Sequence, residues 1–209
     1  SFGTPTALRF STANRDSVIF RDGFAFGDGG PAAGPDINFG QQDSFTIEAV
    51  LRTTADTQGG IVSKDWAGDR PSWWLRMRPD GTLQAIADDR NAPDPNVIGL
   101  VNGTDPINDG EWHHIAFVRD ATDDEVRLYI DYALDAADID NTLLTQFNTR
   151  DIRIGESNGG GWQFGGDIDF VRITSGALAP EQFVQPIPEP ATLALLGGAL
   201  AALLRRRRR

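Results

Sequence analysis

Cysteine is absent from this 209-residue chain, which removes disulfide staples, thiolate zinc sites and cysteine nucleophiles together. Histidine is nearly absent, with only the adjacent pair His113 and His114. Neighbouring strand residues point to opposite faces, so this pair cannot share one metal, and a transition-metal centre is disfavoured. Lysine occurs once, at Lys64. Helical periodicity is scarce between Ser1 and Gln185, and the chain has only one long uncharged apolar run, Ala191 to Leu204. Basic charge is sparse outside the last five residues. Setting aside Arg205–Arg209 and Glu189 leaves 14 basic residues against 29 acidic ones, a net charge of −15. A body this acidic repels nucleic acid and anionic lipid head groups but tolerates divalent cations and neutral glycans.

The rest of the composition is that of a folded domain. Apolar residues make up 40% of the chain and charged residues 23%, with 23 Gly and 12 Pro to punctuate it. A single sandwich of about 180 residues buries roughly 70% of its unfolded-chain surface, enough to stand alone. Short apolar runs separated by Gly, Pro, Asn and Asp clusters predict an all-β, antiparallel two-sheet sandwich. Strands are expected at residues 7–10, 17–20, 44–53, 73–78, 82–86, 112–119, 125–130, 152–155 and 167–174. In residues 44–53, Phe45, Ile47, Ala49 and Leu51 share one face, opposite Thr46, Glu48, Val50 and Arg52. The Asp80-Gly81 pair marks a tight hairpin. Residues 22–42, 88–108 and 132–148 carry few strand signals and are expected as surface loops.

The end of the chain changes character. Pro186-Ile187-Pro188-Glu189-Pro190 precedes Ala191–Leu204, and five arginines follow. Fourteen residues make a helix about 21 Å long, shorter than a hydrocarbon core of about 30 Å. The segment has no polar face, however, and it runs into arginines that can snorkel to head groups. The positive-inside rule then places the arginines in the cytoplasm and the acidic body across the membrane. These residues resemble the PEP-CTERM sorting signal of exopolysaccharide-producing Gram-negative bacteria. Pro188, Glu189 and Pro190 supply the motif, Ala191–Leu204 the helix, and Arg205, Arg206 and Arg207 with their neighbours the basic end. The resemblance implies recognition by an exosortase-type enzyme, transient inner-membrane anchoring, and delivery to the cell surface or extracellular matrix. It also implies that an N-terminal signal peptide existed, as a leader processed away before Ser1. The expected organisation is a sandwich over 1–183, a Pro-rich linker over 184–190, the helix over 191–204 and a cytoplasmic tail over 205–209.

Within the body, Ala7–Phe10, Ser44–Leu51, Gly110–Ala116, Arg127–Asp131 and Gly165–Ile173 with Ala177-Leu178 resemble, in order and spacing, the laminin G-like, concanavalin A-like superfamily. That implies a jelly roll with a concave face that often binds glycans or proteins. Asp131-Tyr132 departs from the family's usual Asp-Gly turn and questions the hairpin there. The resemblance also implies one structural calcium between the last strand and the N-terminal region, held by Asp169 with Asn14 or Asp16. Carboxylates and carbonyls can supply its six to eight oxygens.

Catalysis finds little support. Asp167 and Asp169 are two apart on a predicted strand, roughly 7 Å from one another, a spacing usable for glycosidic acid/base work. Yet glucanases of this fold carry glutamates in a Glu-x-Asp-x-x-Glu pattern, where this chain has Asp167, Asp169 and Arg172. Trp66, Trp73, Trp74 and Trp162 lie near loops, where an indole can stack on a sugar face while Asp65, Asp69, Arg70 or Asn158 orients hydroxyls. Packing roles compete with that use, and of the adjacent Trp73 and Trp74 one should be core. The favoured function is therefore a non-catalytic surface or matrix module for an extracellular polysaccharide or partner protein. A structural matrix protein without a ligand and a diverged glycan hydrolase are the alternatives.

Overall fold

The computed structural model describes residues 8–11, 17–20, 39–66, 69–88, 98–142, 151–157 and 161–185; for residues 20, 66 and 69–71 it describes the backbone alone. Among these residues twelve strands form two six-stranded antiparallel sheets. The first sheet runs in the order β1 (Leu8–Phe10), β12 (Gly166–Ser175), β3 (Phe45–Arg52), β8 (Trp112–Asp120), β9 (Glu125–Ile130) and β10 (Ala133–Ile139). The second runs β2 (Val18–Phe20), β11 (Ile152–Ile154), β4 (Gly59–Trp66), β5 (Asp69–Met77), β6 (Thr82–Asp88) and β7 (Ile98–Pro106). The expected sandwich is found.

Period-two alternation builds the core between the sheets. Phe45, Ile47, Ala49 and Leu51 of β3 face inward with Ile115 and Phe117 of β8, and meet Trp73, Leu75 and Met77 of β5. Phe39 stacks on Phe45 at 4.2 Å between ring centres, and Phe117 meets Phe45 edge-on at 5.6 Å. Arg119 is buried in this layer and fully engaged. It donates from Nε to Asp140 at 2.6 Å, from Nη1 to the carbonyls of Gly40 and Asp43, and from Nη2 to Gln41 O and Thr142 Oγ1. That one side chain ties two loops to the sheet, and satisfying its donors is what makes the buried charge tolerable.

Two of the expected surface loops contain strands. β7 falls within residues 88–108 and β10 within residues 132–148. β7 was obscured by Gly99 and Gly103, which the packing requires. A Cβ at Gly103 would lie 2.4 Å from Asp135 Oδ2, and one at Gly99 would lie 2.8 Å from Asp140 Oδ1. β10 is an acidic edge strand, mostly exposed, and takes strand form because β9 offers a partner rather than because of its own propensity. β4 likewise has no alternating signature, because two bulges interrupt its pairing with β5. The hairpin questioned at Asp131-Tyr132 forms as a two-residue turn, with both residues at positive φ, 49° and 70°.

Candidate functional site

On β5 the alternation that buries Trp73, Leu75 and Met77 turns Trp74 and Arg76 to the outer face of the second sheet. The Arg76 guanidinium lies between two indoles, its Cζ 4.1 Å from the ring centre of Trp74 and 4.4 Å from that of Trp162. Across the Pro79-Asp80-Gly81 hairpin, Gln84 stands opposite Arg76, and Asn102 of β7 stands opposite Gln84. Arg76 donates to Gln84 Oε1 from Nε at 2.8 Å and again from Nη2. Gln84 Nε2 donates on to Asn102 Oδ1 at 2.5 Å, which Arg78 Nη1 also reaches at 3.4 Å. Burial pushes the Arg76 pKa down, against the pull of the Asp65 charge, but a guanidinium stays protonated in either case.

Trp162 joins this row from a different part of the chain. Its backbone has φ of 48°, and its carbonyl accepts the Gly60 N–H at 2.7 Å. Gly60 also lets the Glu156-Ser157 backbone pass close by, since a Cβ there would lie 2.4 Å from Ser157 Cβ. The indole is 38% exposed and Asn102 is exposed, whereas Trp74, Arg76 and Gln84 are half-buried. An exposed ring beside a locked guanidinium and two amides is the composition of a small-ligand platform: an apolar face with a few oriented polar groups. Sequence reasoning singled out Trp162 but passed over Arg76, Gln84 and Asn102. The signal was present in the alternation after Trp73 and in the hairpin register, which sets residue 84 opposite residue 76.

The other expected sugar-binding residues are placed differently. Trp73 is wholly buried in the core, with Nε1 lacking a hydrogen-bond partner among the described residues, so its assignment to glycan contact fails. Asp65 is also buried, accepting from Ser157 Oγ at 3.0 Å, and cannot orient a ligand from the surface. Trp66 and Arg70 lie on β4 and β5, but their side chains fall outside the description, as does Asn158 entirely. For calcium, Asp169 occupies the bulge where β12 pairs with β3, between Ile168 and Phe170. Asn14 and Asp16 lie outside the described residues, and so do Pro188, Glu189, Pro190 and Arg205–Arg209. No group of three metal-binding side chains occurs among the described residues. No described helix is long and apolar enough to cross a membrane, and Ala191–Leu204 lies outside the described residues.

The carboxylates of β12 are occupied. The bulge takes Asp169 out of the simple alternation that predicted a face shared with Asp167. Asp167 accepts from Arg9 Nε at 2.9 Å and from Arg52 Nη2 at 2.6 Å. Burial pushes its carboxyl up, but these bonds and charges outweigh that and hold it below the ordinary range. A carboxyl kept ionised cannot serve as a general acid. Arg172 donates from Nε to Glu48 Oε2 at 2.6 Å.

Glu48 is the centre of a closed patch on the outer face of the first sheet. Glu48 and His114 have wholly buried side chains, with His114 Nε2 donating to Glu48 Oε1 at 3.0 Å. The same oxygen accepts the Val184 N–H at 2.8 Å. Burial pushes the Glu48 carboxyl up, and the bonds from His114, Val184 and Arg172 bring it below its ordinary value. Residues 176–185 lie over this patch. Ala177, Leu178 and Phe183 pack on Ala116, Val118 and Tyr129, and Tyr132 stacks on His114 at 4.6 Å while its hydroxyl donates to Val184 O.

Comparison with known proteins identifies the architecture. The chain belongs to the concanavalin A-like lectin/glucanases superfamily, whose family model matches residues 26–183. Residues 186–209 match the PEP-CTERM protein-sorting motif. No curated protein sequence matches the chain. Among solved structures it is similar to domains LG4-5 of the mouse laminin α1 chain, with a TM-score of 0.59 and 12% identity over 88% of this chain and 46% of that one. The binding domain of a paraclostridial mosquitocidal protein gives 0.56 and 22%, over 72% of this chain and 38% of that one. The chain therefore spans less than half of either. The CBM40 of the Ruminococcus gnavus IT-sialidase gives 0.53 and 10%, over 80% of this chain and 94% of that one.

Proposed function

We propose that this member of the concanavalin A-like superfamily is an exported, non-catalytic protein of the bacterial surface or extracellular matrix that binds glycan on the outer face of its second sheet. The observation that carries the reading is Arg76 held between Trp74 and Trp162, with Gln84 and Asn102 in line beside it. Trp162 offers a hydrophobic plane for the C–H face of a sugar, and the amides offer both donors and acceptors for its hydroxyls. The locked guanidinium keeps both rings in place before a ligand arrives, which lowers the ordering cost of binding. The acidic body favours a neutral stretch of polysaccharide at this face. Absence of catalysis is supported by Asp167, which two arginines hold ionised.

Delivery is assigned to the C-terminal motif: an exosortase-type enzyme processes the chain near Pro188-Glu189-Pro190 after the Ala191–Leu204 segment has anchored it in the inner membrane. A structural calcium at Asp169, with Asn14 or Asp16, belongs to the same proposal. The test of glycan binding is an array screen of the full chain in detergent, with and without calcium, repeated with Trp162→Ala. Retention of a neutral-glycan hit on the wild type and its loss on the variant is expected; an undiminished hit on the variant removes the site from this face.

A further inference from the structure

A second cluster of arginine and aromatic side chains sits on the opposite sheet. Arg9, Asp167, Arg52 and Trp112 stand opposite one another in register across β1, β12, β3 and β8, on the outer side of the first sheet. This row opens into a groove of about 520 Å³, whose walls include Arg9, Arg52, Thr54, Gly110 and Gly166. That volume lies in the range of small-ligand sites. Arg52 Cζ lies 4.9 Å from the ring centre of Trp112.

The charge here is opposite to that of the molecule. Two guanidiniums share one carboxylate, so the row carries a net positive charge in a body with a net charge of −15. Asp167 engages Nε of Arg9 and Nε and Nη2 of Arg52, and this fixes where the two forks point. Arg9 is 80% exposed and Arg52 41% exposed, whereas Asp167 lies beneath them at 11%. The anion that holds the arginines is therefore recessed while the cations reach solvent. A planar fork is suited to a second carboxylate, which it can bind through two parallel hydrogen bonds.

The walls are preformed. Thr53 Oγ1 donates to Gly165 O at 2.5 Å and accepts from Ala55 N at 2.9 Å, and Gly110 N donates to Thr53 O at 3.0 Å. Gly166 lets the strands close, because a Cβ there would lie 2.4 Å from Arg52 O. A groove with fixed hydroxyl and carbonyl edges and a local pair of solvent-reaching cations differs from the platform around Trp162, where the Arg76 guanidinium is half-buried against the rings.

We propose that this groove is a second subsite, which takes the carboxylate-bearing unit of an acidic polysaccharide, a uronic acid residue. The proposal rests on the glycan-binding reading and adds the ligand's chemical class, while placing the acidic unit on the other sheet. It makes the domain a two-face binder, neutral sugar at Trp162 and uronate at Arg9 and Arg52, able to cross-link polysaccharide strands.

The test follows the Nε–H signals of Arg9 and Arg52 and the indole N–H of Trp162 by NMR on the full chain in neutral detergent. Oligogalacturonate, its methyl ester and inorganic phosphate are titrated separately. The acid should move both arginine signals, with its affinity falling on the order of tenfold or more in Arg9→Gln, the loss of a charge-assisted bond. The ester and phosphate should leave those signals in place at the same concentrations. Equal response to phosphate means an adventitious anion only and overturns the proposal, as does an acid affinity unchanged in Arg9→Gln. If neutral glycans move Trp162 while the acid leaves the arginines still, the subsite fails and the Trp162 reading survives. If the acid moves the arginines while every neutral glycan leaves Trp162 still, the subsite stands and the Trp162 reading fails.

Discussion

The outer faces of the two sheets are built by the same alternation and end in opposite states. On the first sheet, Glu48, His114 and Arg172 turn outward at the centre, and the chain then lays residues 176–185 across them. On the second, Trp74, Arg76 and Gln84 turn outward and reach the surface through Trp162 and Asn102. Both faces place an arginine among aromatic or ionic partners. The difference lies in what saturates it: Arg172 is hydrogen-bonded to the buried Glu48 carboxylate, whereas Arg76 stacks on π faces and donates to the Gln84 amide, with Asp65 acting on it through its charge. A buried carboxylate demands full satisfaction and draws in the Val184 amide, closing the centre of that face. Ring stacking makes no such demand, so the second face can remain available to a ligand.

The strongest way to break this contrast is to remove Glu48. Glu48→Ala strips His114, Arg172 and Val184 of their shared acceptor and should destabilise the fold by about 3–5 kcal/mol. For a domain of this size that is on the order of 10 °C in Tm by calorimetry. Trp162→Ala should lower Tm by less than Glu48→Ala does, since the residue is 38% exposed, while weakening any glycan bound at the second sheet about tenfold or more in titration calorimetry. Equal Tm losses in the two variants would erase the distinction between a closed and an open face. Tyr132→Phe keeps the stack on His114 but deletes the bond to Val184 O, and a loss of about 1 kcal/mol is expected in chemical denaturation.

The smallest effects concern pH. Burial pulls the His113 pKa down, but the hydrogen bonds and charges of Asp131 and Asp109 outweigh it and raise the folded value. Its contribution is therefore fully present below the ordinary histidine value of about 6.5 and is lost as pH rises through the raised folded value. Glu48 behaves in the reverse sense. Its folded value is lowered, so its contribution is present above the ordinary glutamate range and is lost as pH falls through the folded value. Melting curves of the wild type and Asp109→Asn from pH 5 to 9 should differ most at the acid end of that range and converge above it. Parallel curves throughout would detach His113 from Asp109.

Much of the molecule was legible from pattern. β3 announced itself through alternation and β8 through its apolar run, and the Asp80-Gly81 turn set the register that brings Gln84 to Arg76. β7 and β10 were hidden, because Gly99, Gly103 and a run of Asp and Ala carry no strand preference; their pairing with β6 and β9 supplies it. The site was half visible. An exposed tryptophan after glycines drew notice, but Trp73 and Trp74 differ by one residue and only the sheet shows which is core. Asp65 looked like a surface group and proved to be buried beside Ser157, 92 positions away in the chain.

Composition and period-two patterning alone determined an all-β acidic body, and the ordered Pro-Glu-Pro, apolar and arginine segments determined the sorting motif, because both signals are local. Which arginine meets a carboxylate and which meets a ring was decided only by tertiary structure. Glu48 and Arg172 lie 124 residues apart, as Arg52 and Asp167 lie 115 apart. No local preference encodes such pairs; they arise when strands distant in sequence become neighbours in a sheet and must satisfy each other's charges.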